Sequence, residues 1–220
     1  MYRVLALTGC IVTMIGCGMG PSSPLNEAAG RGDIDQIRNL AAGGANVNAE
    51  AAHGITPISS AARAGAVESI PVLVNLGADP NQRCGVNGWT PLMHAIHKQQ
   101  LGSVRALLEA GANVNERGDG GENPLMMAAG YGYTNIVNTL LDRGADPLAK
   151  TPGGMNALDL AVAGVMDIDR FTAGDCQAST IEALAVRAPA LRLEGISGVK
   201  KALLARKLKG CTALSQIVNR

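Results

Sequence analysis

Three histidines, five cysteines and a group of aspartates are the side chains of this 220-residue chain whose types could do chemistry. His94 and His97 stand three residues apart, a spacing that puts two imidazoles on one helix face. A zinc site takes three or four ligands, however, and no carboxylate or thiol lies at a matching spacing. His94 falls at an inward position of the helix expected there and reads as a core residue. Asp167, Asp169 and Asp175 lack the fixed alternate positions and closing glutamate of an EF-hand and read as a solvated loop. The chain holds no Gly-x-Ser-x-Gly, phosphate-binding loop or Cys-x-x-Cys. The expectation is a protein that is not an enzyme and uses neither metal nor cofactor.

What positions these residues is a repeat. Gly-x-x-Pro occurs at Gly54/Pro57, Gly88/Pro91 and Gly121/Pro124, and Gly-Ala-Asn or Gly-Ala-Asp at Gly44, Gly77, Gly111 and Gly144, at intervals of 33, 34 and 33 residues. A constant period of that size means stacked supersecondary units. Within one unit, Thr90-Pro91 suits a helix start, because proline lacks an N–H that the first turn leaves unpaired and threonine caps it. The spacing predicts a short helix over 91–98. Val104, Leu107 and Leu108 then give a second helix with one apolar face, and Gly111 ends it. Asn113 to Gly120 is turn-rich and suits a hairpin into the next unit. Neither short helix can bury its face alone, so the core must grow by stacking.

Units one to four run over 24–48, 54–81, 88–115 and 121–148, and unit five starts at Gly154. Unit one is more polar, as a terminal cap should be. Pro71 falls in the second helix of unit two and is tolerated only in a first turn, so that helix is expected to begin near Ser69. In unit five the next second-helix run places Ile181 where the period predicts Arg170. About 11 residues (181 − 170) are therefore inserted over Val165 to Cys176, with Phe171 expected to fold inward and pin them. A hydrophobic content of 47% with only 2% aromatic implies a core of Ala, Leu, Val and Met, suited to close helix packing.

The motifs resemble the ankyrin repeat. That family's Thr-Pro-Leu-His-x-Ala is represented by Thr56-Pro57-Ile58-Ser59-Ser60-Ala61, Thr90-Pro91-Leu92-Met93-His94-Ala95 and Asn123-Pro124-Leu125-Met126-Met127-Ala128, without the motif histidine at its usual place. The resemblance implies an all-α solenoid of about five helix-turn-helix repeats over 24–191, with hairpin loops and a C-terminal helical cap over 192–220. It also implies a module that binds another protein along a concave surface of hairpin tips and first helices. Transferred position by position, that surface comprises Ile55, Arg63, Arg83, Asn87, Trp89, His97, Lys98, Arg117, Asp119, Glu122, Tyr131 and Met155. Trp89 and Tyr131, from neighbouring repeats, are expected to form an aromatic hot spot there.

The first residues do not belong to this pattern. Met1-Tyr2-Arg3 carries one charge and Val4 to Gly16 is a run of 13 mostly apolar residues, too short to span a bilayer and suited to a signal peptide over 1–16. Met14-Ile15-Gly16-Cys17 looks like a bacterial lipobox, which makes Cys17 the lipidated residue and 17–23 a tether. Leu7-Thr8-Gly9-Cys10 is the alternative lipobox, although it leaves a shorter apolar core. The expectation is an exported, lipid-anchored monomer of the bacterial cell envelope, facing the periplasm and meeting the membrane through its N-terminal lipid.

Residues 192–220 hold seven Lys/Arg against one acid, while residues 17–191 hold 11 basic and 17 acidic residues. A basic last helix can dock on an acidic solenoid or contact anionic lipid. A net charge of +1 for the whole chain offers no general attraction to nucleic acid. An oxidising compartment would allow a Cys176–Cys211 disulfide to staple the insertion to the last helix. Cys84 is left at a hairpin tip, unpaired or available to a partner. An inhibitor of a secreted enzyme and a structural envelope protein remain alternative roles for the same scaffold.

Overall fold

The computed structural model describes residues 23–163, 166–167, 170–171 and 177–192. Residues 1–22 with Cys10 and Cys17, the cysteines Cys176 and Cys211, the side chain of Phe171 and residues 193–220 lie outside the described residues. Ten helices make up the described part: α1 Pro24–Arg31, α2 Ile34–Ala42, α3 Pro57–Ala64, α4 Ser69–Asn75, α5 Pro91–His97, α6 Leu101–Glu109, α7 Pro124–Gly130, α8 Thr134–Asp142, α9 Ala157–Ala163 and α10 Ala178–Arg187. They pair in order as five helix-turn-helix units.

Each first helix starts where the local chemistry demands. Thr56, Thr90 and Asn123 accept hydrogen bonds from the backbone N–H of Ser59, Met93 and Met126 respectively, each followed by a proline. Ser23 does the same for α1, accepting from Leu25 N. In unit five a reciprocal capping box replaces the proline: Asn156 Oδ1 accepts from Asp159 N at 3.0 Å, and Asp159 Oδ2 accepts from Asn156 N at 3.0 Å. Helix α4 begins at Ser69, so Pro71 lies in the first turn and breaks no hydrogen bond.

Small side chains let the first helices stack closely. Ala28, Ala29, Ala61, Ala62, Ala128 and Ala129 are all fully buried between neighbouring units, which accounts for a core that needs few aromatics. The second helices contribute one column of equivalent residues, Ile37, Ile70, Val104, Val137 and Ile181, every one fully buried. The last interval in that column is 44 residues (181 − 137), the repeat of 33 plus the 11-residue insertion. Within the insertion, which the sequence suggested as a solvated loop, Met166–Asp167 pairs antiparallel with Arg170–Phe171.

A second, polar column locks the units together. Asn48 donates to Gly77 O at 2.9 Å and accepts from Asp79 N at 2.8 Å. Asn81 repeats this on Gly111 and Asn113 at 3.3 and 2.6 Å, and Asn115 on Gly144 and Asp146 at 3.1 and 2.8 Å. Each asparagine thus satisfies one carbonyl and one N–H of the next unit's Gly-Ala-Asx turn, where the left-handed glycine (φ 83 to 96 for Gly77, Gly111 and Gly144) ends the second helix. The equivalent position in unit four is Leu148, half exposed, and unit five has Ala188 where the glycine would stand. The column stops there because neither the donor nor the turn it would meet is encoded.

Candidate protein-binding face

The tips that project from the helical stack are built by four backbone closures: Ala51 N to Ile55 O (3.0 Å), Cys84 N to Trp89 O (2.9 Å), Gly118 N to Glu122 O (3.0 Å) and Thr151 N to Met155 O (2.8 Å). Three of them enclose three residues. The second, Cys84 to Trp89, encloses four, Gly85 to Gly88, and that extra residue is the source of the single 34-residue interval in the sequence. Its consequence is Val86, 88% exposed at the head of the turn. Position-by-position transfer from the repeat pattern missed Val86, because a residue added to a turn has no counterpart in other units. The one odd interval was the signal that could have found it.

Neighbouring tips are tied to each other. Gly85 N donates to Gly54 O at 2.9 Å and Asp119 N to Asn87 O at 3.0 Å. Arg83 pairs with Asp119 and donates to Gly88 O at 3.0 Å. Arg117 Nη1 donates to Gly121 O at 2.6 Å and Lys150 O at 2.8 Å. Gly121 must be glycine here: its φ is 80, and a Cβ would collide with Pro152 of the next tip. Arg83, Arg117 and Asp119, expected as partner-reading groups, therefore join successive tips into one edge.

The aromatic residues need a larger correction. Tyr131 is 6% exposed and His97 8%, so neither is an open anchor. Trp89 is half-buried and its Nε1 donates to Glu122 Oε1 at 2.7 Å. The Trp89 ring sits 5.6 Å from His94 and 5.2 Å from His97; His97 is 5.9 Å from Tyr131, and Tyr131 stacks on Tyr133 at 5.4 Å. His97 Nδ1 and Tyr131 Oη are 3.0 Å apart. These rings form a ladder across units three and four, because large side chains on adjacent inner helices meet one another before they meet solvent. Cys84 is likewise buried, at 3%, with its Sγ 3.0 Å from Ser59 Oγ. It lies beneath the tip and is not available to a partner.

What the fold leaves on the inner face is Ile55, Arg63, Lys98 and Met155, each half-buried, with Asn87 exposed at the tip. Arg63 Nη1 lies 3.4 Å from His94 Nδ1. A guanidinium can only donate, so this contact sets the His94 ring proton on Nε2. Burial, helped by the Arg63 charge and by His97 and Lys98, lowers the His94 pKa from 6.5 to about 4, while the Cys84 main chain offsets part of the shift. No group of three or more His, Cys, Asp or Glu among the described residues is arranged to hold a metal ion.

Residues 82–151 match the family model for ankyrin repeats in three copies. Among similar proteins, the ankyrin repeat protein nuc-2 of Neurospora crassa is 39% identical over 93 residues, 42% of this chain and 9% of its own length. A glycerophosphocholine phosphodiesterase of Schizosaccharomyces pombe is 35% identical over 115 residues, 52% of this chain and 10% of its own. The putative ankyrin repeat protein FPV031 of Fowlpox virus is 30% identical over 133 residues, 60% of this chain and 39% of its own. The matched region spans between 9% and 39% of the length of these relatives, and what the rest of those proteins do stays with them. Period, capping chemistry, helix pairing and the family match agree: this chain carries ankyrin repeats, folded as an all-α ankyrin-repeat solenoid.

Proposed function

We propose that the chain is a non-catalytic protein-binding module and that it meets its partner with the row of hairpin tips and the adjoining inner helices. Ankyrin repeats generally mediate protein–protein interaction. The observation that carries the placement is Val86: an aliphatic side chain 88% exposed, on the one lengthened tip, in a row whose other polar groups are largely engaged with each other. A rigid edge with an apolar knob loses little conformational entropy on docking, and that favours affinity.

Affinity capture from an envelope extract, using the mature chain and its Val86→Asp variant as baits, tests this. A protein held by the wild type and reduced tenfold or more on Val86→Asp, at unchanged melting temperature, is the expected result. Identical sets of proteins on both baits would remove the tips from the contact surface.

The envelope setting rests on the leader sequence. We place Cys17 as the lipid-bearing residue, with the solenoid held near the membrane by the 17–23 tether. Among the described residues no helix is long and apolar enough to cross a membrane. Cys17→Ser is expected to move the protein from the membrane to the soluble fraction. Retention in the membrane fraction would count against Cys17 as the anchor.

A further inference from the structure

Arg63 differs from the other tied arginines of the described solenoid. Arg31 pairs with Glu27 and donates to Gln36, Arg83 pairs with Asp119, Arg143 with Glu109 and Arg187 with Asp142, and Arg117 is held by two carbonyls. Arg38 and Arg105 lie outside such pairs on second helices, where Arg105 is exposed and a solvated guanidinium needs no partner. Arg63 is half-buried on the inner face, and its one hydrogen-bond neighbour among the described residues is the neutral His94 ring at 3.4 Å. A partly desolvated guanidinium without an acceptor anion is unfavourable by itself. It is also the group best shaped to take a carboxylate through two parallel N–H donors.

The surroundings define the rest of the site. Arg63 sits at the elbow where the inner helices of units two and three meet the Cys84–Trp89 tip between them. Gly85 lies in the same corner, where a methyl group on it would come into ordinary contact with Ile55 Cδ1 at 3.4 Å and His94 Cε1 at 3.7 Å. Ile55 is half-buried in this corner, and Val86 follows Gly85 at the head of the same turn. The elbow therefore brings the Arg63 cation, with Lys98 also within electrostatic reach of the His94 ring, into one corner with Ile55 and the tip that carries Val86. A nucleic acid backbone asks instead for a stripe of cations, and residues 17–191 carry 11 basic against 17 acidic residues.

We infer that the elbow between units two and three is the charge-reading position of this face, and that Arg63 takes the carboxylate of an Asp or Glu on the partner while Ile55 and Val86 receive an adjacent aliphatic side chain. This rests on the reading of the tips as a protein-binding surface. It adds the chemistry of the partner segment: an acidic residue next to an apolar one. His94 is a positioning residue, since its Nδ1 holds one guanidinium nitrogen and leaves the remaining donors for the carboxylate.

A library of random linear peptides displayed on phage, panned on the mature chain and on its Arg63→Gln and Val86→Asp variants, tests the inference. The wild type is expected to enrich peptides with Asp or Glu at a fixed distance from an aliphatic residue. Changing that acid to its amide should weaken binding tenfold or more on the wild type and not further on Arg63→Gln, with Arg63→Lys recovering part of the loss. If enriched peptides tolerate the amide but lose binding on Val86→Asp, the carboxylate assignment is wrong while the tip surface stands. If no peptide is enriched, or if enriched peptides ignore both variants, both readings fall.

Discussion

Lowering the pH from 7 to 4 is expected to remove about 3 kcal/mol from the stability of the solenoid through His94 alone. In the folded chain burial, with Arg63 beside it, holds this imidazole at about 4, against 6.5 for the ordinary side chain. Between those values the unfolded chain binds a proton that the folded chain does not, so stability rises with pH across the window. The contribution is fully present above pH 6.5 and is lost as the pH falls through 6.5 toward 4. The charged groups facing the ring explain why the folded state resists protonation: Arg63 comes from α3, and His97 and Lys98 from the end of its own helix. Surface carboxylates titrate in part of the same range, so the observable is a difference. Urea unfolding of the wild type and of His94→Gln at pH 7, 5.5 and 4 should give a steep loss for the first and a shallower one for the second. Parallel pH dependences would show that the ring is protonated in the folded chain as readily as in the unfolded one.

The elements of this fold were legible because they follow from local chemistry repeated at a fixed period. Pro71 required a helix start near Ser69, and α4 begins there. The offset of Ile181 required 11 extra residues, and Ile181 sits fully buried in the same column as Val137. The face was less legible, because a side chain's exposure is decided by what the next unit places against it. Tyr131 and His97 occupy inner-helix positions that a single repeat leaves open; they are closed by each other and by Trp89. Arg83 and Asp119 are 36 residues apart and pair only because adjacent tips stack. No property of either residue alone encodes that contact. Cys84 follows the same rule: its turn projects, but its side chain points beneath the turn to Ser59.

The double substitution Trp89→Ala/Tyr131→Ala is expected to cost about 5 kcal/mol, at the low end of the total stability of a typical domain. Trp89 contributes a half-buried indole that bridges units three and four through its 2.7 Å hydrogen bond to Glu122, and two ring contacts within unit three. Tyr131 contributes a nearly fully buried ring packed between His97 and Tyr133. Because both rings touch His97, the two losses overlap and the sum falls short of two independent deletions. Units three and four should therefore loosen together, read as a large drop in the urea midpoint and in far-ultraviolet helical signal at 37 °C. Loss of a partner by this variant says nothing about where the partner binds, since the scaffold beneath the tips is lost as well. Val86→Asp changes an exposed turn residue with no packing role and should move stability by no more than about 0.5 kcal/mol. A double variant that unfolds at the wild-type midpoint would mean that the ring ladder carries no stability, and the aromatic pair would return as a candidate contact. The ladder predicts the opposite ordering, with stability falling at Trp89 and Tyr131, and binding falling at Val86 without it.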